Sequence, residues 1–131
     1  MKLNFSINEF IKSDLALKNN INNMPDLKSL DNILKLIFYC LQPLRNLIKK
    51  PIIITSGYRC EKLNALARGK KNSQHKNGEA VDFIVKGIEP SKIIEIIKNS
   101  NIEFDQLINE YNSWVHLSYS EGKNRNQIIK Y

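Results

Sequence analysis

Histidine and cysteine are both scarce in this chain, with two of each in 131 residues. Cys40 and Cys60 are too few for a disulfide scaffold, and they form no CxxC pair. Cys40 falls in an apolar helical run and reads as a buried thiol, whereas Cys60 follows Arg59 in a turn. No stretch approaches the roughly 20 apolar residues that a membrane span requires, so no span is expected. The opening residues, Met1 to Glu9, are too polar for the apolar region of a secretory signal. Synthesis in the cytoplasm without a cleaved signal is the expectation. Acidic residues are also in short supply, 13 against 20 basic, giving a formal net charge of +7 and a pI near 9.4. That excess fits an anionic partner such as a cell wall, a nucleic acid or a membrane surface, or simply a solvated lysine-rich exterior.

A length of 131 residues and a hydrophobic content of 42% suit one soluble domain, 1–131, with its core in about 25–120. Ser6-Ile7-Asn8-Glu9 has the form of a capping box opening a short helix to about Lys12, and residues 13–26, rich in Asn, read as irregular. Apolar residues from Leu27 to Ile48 keep helical spacing, interrupted by Pro43, which should bend or split the helix. Ile52 to Thr55 is a β-branched run and reads as a buried strand. A short helix over Glu61–Ala67, a strand over Glu79–Val85 and an amphipathic helix from Pro90 follow. Two further strands, about 105–111 and 114–120, complete the pattern. The polar residues from Glu121 read as a partly disordered tail. The order implies an α+β architecture, a small antiparallel-rich sheet packed with helices.

Each histidine sits in a compact motif. His75 lies seven positions before Asp82 with Gly78 between them, so a turn can bring the two side chains together. Asp82 stands inside Ala80-Val81-Asp82-Phe83-Ile84-Val85, where a carboxylate is costly unless paired with a cation such as Arg59 or Lys86, or bound to metal. His116 shares one face of an alternating strand with Trp114 and Ser118. Two imidazoles and a carboxylate are a ligand set that leaves a catalytic zinc one open position for water. Such a water also needs a general base. Glu110, six positions before His116, is the candidate. A three-residue loop at Asn112-Ser113-Trp114 pairs it with His116, whereas a two-residue turn at Asn112-Ser113 puts it on the opposite face. Both registers are open to this sequence. Arg59, in a turn after a buried strand, is a candidate clamp for a carboxylate or oxyanion. The basic loop Arg68-Gly69-Lys70-Lys71 has no nucleic-acid motif beside it, so no specific nucleic-acid partner is expected.

Together these segments resemble the zinc D-alanyl-D-alanine carboxypeptidase and L-alanyl-D-glutamate endopeptidase family, which includes the hedgehog signalling domain. The family's SxHxxGxAxD is complete as Ser73, His75, Gly78, Ala80 and Asp82. Its late WxH is Trp114 and His116, and its SGYR turn is Ser56, Gly57, Tyr58 and Arg59. The resemblance covers about residues 25–120. It implies one zinc held by His75, Asp82 and His116, and hydrolysis of peptidoglycan stem peptides by a small phage-type monomer acting at the wall. Arg59, Tyr58, Ser73, Gln74 and Trp114 are the expected substrate contacts. Several relatives place the catalytic glutamate three residues before the last histidine, where this chain has Ser113; others place it six before, matching Glu110. A zinc-containing binding module without turnover is the alternative the same resemblance allows.

Overall fold

Pro43 does not split the long apolar run. In the structure, a computed structural model that describes residues 2–131, α3 (Leu27–Leu36) passes through a π-helical turn (Ile37–Leu41) into α4 (Gln42–Ile48). Proline has no N–H to give, and the widened turn, in which the Gln42 N–H reaches back to the Ile37 carbonyl, delivers Pro43 to the first turn of α4. A donor is not needed there. The apolar stripe therefore stays continuous, and Leu36, Cys40, Leu41 and Leu44 are all fully buried. Asp26 starts α3 by accepting the Ser29 N–H at 2.8 Å.

Ahead of this run lie α1 (Asn8–Ile11) and α2 (Asp14–Lys18). The second corrects the expectation of irregular chain over 13–26. Ser13 caps it, accepting the Ala16 N–H at 3.2 Å, and its five residues are short enough to be hidden by the asparagines that follow. Further on come β1 (Ile53–Ser56), α5 (Glu61–Leu66), a 3₁₀ turn (Gln74–Asn77), β2 (Ala80–Ile84), α6 (Pro90–Lys98), β3 (Gln106–Glu110), β4 (Trp114–Ser118) and β5 (Gln127–Lys130). The fold is α+β, with one five-stranded sheet in the order β1-β2-β4-β3-β5. Every pairing is antiparallel except β3 with β5. That last strand is a second correction, because the polar tail pairs in parallel with β3 instead of trailing off. Gln127-Ile128-Ile129-Lys130 is too short and too exposed to announce a strand, and it is recruited by the open edge of β3.

Side-chain alternation splits the sheet into two faces. Val81, Phe83, Leu107, Val115 and Leu117 point into the core with Ile93 and Ile97 of α6, each at most 1% exposed. The opposite face presents Asp82, His116 and Ile108 in register across β2, β4 and β3. No helix among the described residues is long and apolar enough to cross a membrane.

Candidate metal centre and its cleft

The two histidine motifs converge because they occupy neighbouring elements on that second face. Asp82 and His116 are direct cross-strand partners, which brings His116 Nδ1 within 2.9 Å of Asp82 Oδ1. His75 arrives from the 3₁₀ turn, with its Nε2 at 3.5 Å from the same oxygen. Two glycines make that approach feasible. Gly78 ends the turn at φ +72°, and a Cβ there would collide with the Ser29 carbonyl of α3. Gly57 runs hard against the Phe10 backbone, and its carbonyl lies 2.8 Å from His75 Nδ1. A backbone carbonyl only accepts, so Nδ1 carries the proton and Nε2 is left with a lone pair facing Asp82.

One donor atom from each of His75, Asp82 and His116 lies within 4.8 Å of the others. Ligands of a tetrahedral ion with bonds of about 2.0–2.1 Å stand about 3.3–3.4 Å apart. The 3.5 and 2.9 Å separations match that spacing, so the group can hold one small metal ion. Burial by itself would raise the Asp82 carboxyl, but the hydrogen bond with His116 and the closeness of both imidazoles outweigh it and hold the group well below the usual carboxylate range. Cys60 is not part of the cluster, and Cys40 lies elsewhere in the core, its thiol pushed up to about 12 by burial.

The triad opens into a cleft of about 670 Å³ that also receives Arg59, Lys70, Ser73, Gln74, Glu110 and Trp114. Neither register considered from the sequence is the one adopted. The β3–β4 loop has three residues, but they are Tyr111-Asn112-Ser113, so Glu110 pairs with Trp114 and Ile108 with His116. Tyr111 and Asn112 both take positive φ, the sign a type I′ turn demands, and the buried Asn109 side chain accepts the Asn112 N–H at 2.8 Å. Glu110 is thus diagonal to His116 rather than opposite it. An odd loop still keeps the two on one face, and the carboxylate lines the cleft.

Arg59 is half-buried, and its Nη1 donates to Asn64 Oδ1 at 3.2 Å while its buried Nε has no partner among the described residues. Ser73 accepts the His75 N–H at 3.2 Å and so braces the 3₁₀ turn. Tyr58 is placed differently from the other expected contacts. It borders a neighbouring cavity with Lys12, Asp14 and Leu63, and is not among the residues of the triad's cleft.

Asp105 was invisible in the sequence. It is 2% exposed and gathers Gln74 Nε2 at 2.8 Å together with Arg125 Nε at 2.7 Å and Nη2 at 2.9 Å. These bonds, those from Arg125 foremost, outweigh burial and hold its carboxyl below the ordinary aspartate value of 3.8. A depressed carboxylate contributes stability that is present above that value and lost as pH falls through the folded one. Asp105→Asn should therefore lower the melting temperature at pH 6, with the gap to wild type narrowing by pH 3. A gap that is constant with pH would show that the charge of Asp105 contributes nothing.

A cluster of two histidines and an aspartate on the floor of a cleft, carried by a mostly antiparallel sheet with helices behind it, is compatible with a metal-dependent hydrolase. The sequence profile described as peptidase M15 matches residues 3–118, so the chain belongs to the M15 peptidase family. None of the curated proteins compared with the chain matches it.

Proposed function

We propose that this protein is a zinc peptidase that cleaves stem peptides of bacterial peptidoglycan and acts at the wall as a phage-type lytic protein. The observation that carries the reading is the convergence of His75, Asp82 and His116, with Glu110 in the same cleft of an M15 peptidase. The net charge of +7 suits a polyanionic wall.

His75 Nε2, Asp82 Oδ1 and His116 Nδ1 would hold the zinc. When bound, it supplies Lewis acidity and lowers the pKa of a water. Glu110 is the base: its carboxylate takes the proton of the attacking water and returns it to the departing amine. The Gly57 carbonyl holds the His75 ring in one tautomer throughout. Arg59 turns its guanidinium to the developing oxyanion or to a substrate carboxylate, a role supported by its place in the cleft and by an Nε without a partner among the described residues. Ser73, Gln74 and Trp114 line the path of the peptide.

The test is digestion of purified peptidoglycan by the zinc-loaded protein, with released peptides identified by mass spectrometry. Fragments with new amino and carboxyl ends are expected. Zinc-loaded, folded protein that releases none would leave the non-catalytic module. Within this scheme, Arg59→Ala should retain zinc but lose roughly 2–5 kcal/mol of transition-state binding, with only partial recovery in Arg59→Lys, which lacks the planar fork. Kinetics unchanged in Arg59→Ala would remove the residue from the site.

A further inference from the structure

The residues after Ser118 lie beyond the stretch that matches the family, yet they fold back against the cleft. Their backbone is tied down along β3: Asn126 N–H to the Phe104 carbonyl, Gln127 N–H to Asp105 and Tyr131 N–H to Asn109, at 2.9 to 3.0 Å. Two side chains from this stretch, Arg125 and Tyr131, enter the cleft that holds the triad.

Arg125 is unusual for a surface arginine because it cannot wander. Its backbone N–H, Nε and Nη2 all bond to Asp105, which is itself buried and anchored to Gln74, the neighbour of His75. Its side chain nevertheless remains 56% exposed. Asp105 meets it side-on, through Nε and Nη2, and Nη1 takes no part in those bonds. The end-on edge of the fork, built from the free hydrogens of Nη1 and Nη2, is left for a ligand, and two parallel N–H groups match one carboxylate. A pre-oriented fork of this kind has already lost the rotamer entropy that weakens an ordinary surface ion pair. Lys70 and Arg59 add positive charge to the same cleft.

Tyr131 stacks on Tyr111 with ring centroids 6.0 Å apart and planes 27° from parallel. Both rings are more than half exposed and both line the cleft beside Trp114. Tyr111 holds this place with φ +55°, a conformation uncommon for a bulky residue. The family-matched β3–β4 turn supplies one ring and the later segment the other.

We propose that residues 119–131 build a second subsite of the cleft. In it, the end-on edge of Arg125 binds a carboxylate of the peptide away from the scissile bond, and the Tyr111–Tyr131 stack carries the adjoining part of that peptide. The inference rests on the peptidase reading for the identity of the ligand. It implies selectivity for acidic over amidated stem peptides.

Trp114, the only tryptophan, lies in the cleft and reports binding by fluorescence without turnover. Metal-free protein comprising residues 1–131 would be titrated with a stem peptide whose internal glutamate carboxylate is free, and with the same peptide amidated there. Wild type should bind the acid form about five- to tenfold more tightly, the scale of a charge-assisted pair on a half-exposed arginine side chain. Arg125→Gln should bring the two affinities together. Tyr131→Ala and Tyr111→Ala do not touch Asp105, and they should weaken both peptides while preserving the preference. Equal binding by wild type, or a preference retained in folded Arg125→Gln, overturns the proposal, as does unchanged binding in both tyrosine variants. Hydrolysis of the same pair by zinc-loaded protein separates the two readings: cleavage of both at equal kcat/KM defeats the subsite alone, whereas preferential binding without any cleavage defeats the peptidase reading alone.

Discussion

Glu110→Gln should lower peptidase activity by at least about 10²-fold, the usual scale for loss of a general base, while folding and zinc content stay normal. Glutamine keeps the size of the side chain and its place opposite Trp114 in the β3–β4 ladder, so the hairpin has no reason to rearrange. What it removes is the capacity to accept a proton. The loss should fall on kcat, because the carboxylate acts on the attacking water and is not required to bind the peptide. Zinc content measured beside steady-state rates makes the result decisive. A variant with full zinc and undiminished kcat would show that the carboxylate, though it lines the cleft, does not serve the reaction.

The second large effect is expected at Asp82, the candidate ligand whose Oδ1 faces both imidazoles. Asp82→Asn keeps the shape of the side chain but removes the charge that sits 2.9 Å from His116 Nδ1 and 3.5 Å from His75 Nε2. Zinc affinity should fall by at least about 10²-fold, since even substitutions behind the ligands of such sites cost 10- to 100-fold. Thermal unfolding reads this without any substrate. At zinc one hundredfold above its dissociation constant, wild type should gain about 2.7 kcal/mol over chelated protein. The variant should gain almost nothing at the same concentration. An equal zinc-induced rise in both proteins would mean that the ion binds elsewhere, and the assignment of His75, Asp82 and His116 would fail with it.

Much of the site was legible because its signals are local. A carboxylate inside Ala80-Val81-Asp82-Phe83-Ile84-Val85 contradicts a core strand, a contradiction visible in six residues. Alternation alone put His116 and Trp114 on one face of β4, and the structure has them there. Hairpin register was harder. It turned on where a three-residue loop begins, and that was settled by Tyr111 and Asn112 adopting positive φ and by Asn109 bonding back to the turn. No sequence pattern distinguishes those choices from a shift of one residue, although such a shift changes which residue Glu110 faces.

The α+β class and the three candidate ligands follow from the sequence itself, because helical and strand periodicity and an ill-placed charge are properties of neighbouring residues. Tertiary structure alone decided the rest. Pro43 could have broken the long helix, and only packing of a continuous apolar stripe against the core made the π-helical turn the better outcome. The segment after Glu121 had too little apolar surface to form a strand unaided, and it became one because the edge of β3 offered unpaired backbone groups. Asp105, Arg125 and Gln74 come from three distant parts of the chain, and each looks like an ordinary polar residue until the sheet buries the first and brings the others to it. Long-range hydrogen bonds of that kind carry no local period, so folding had to reveal them.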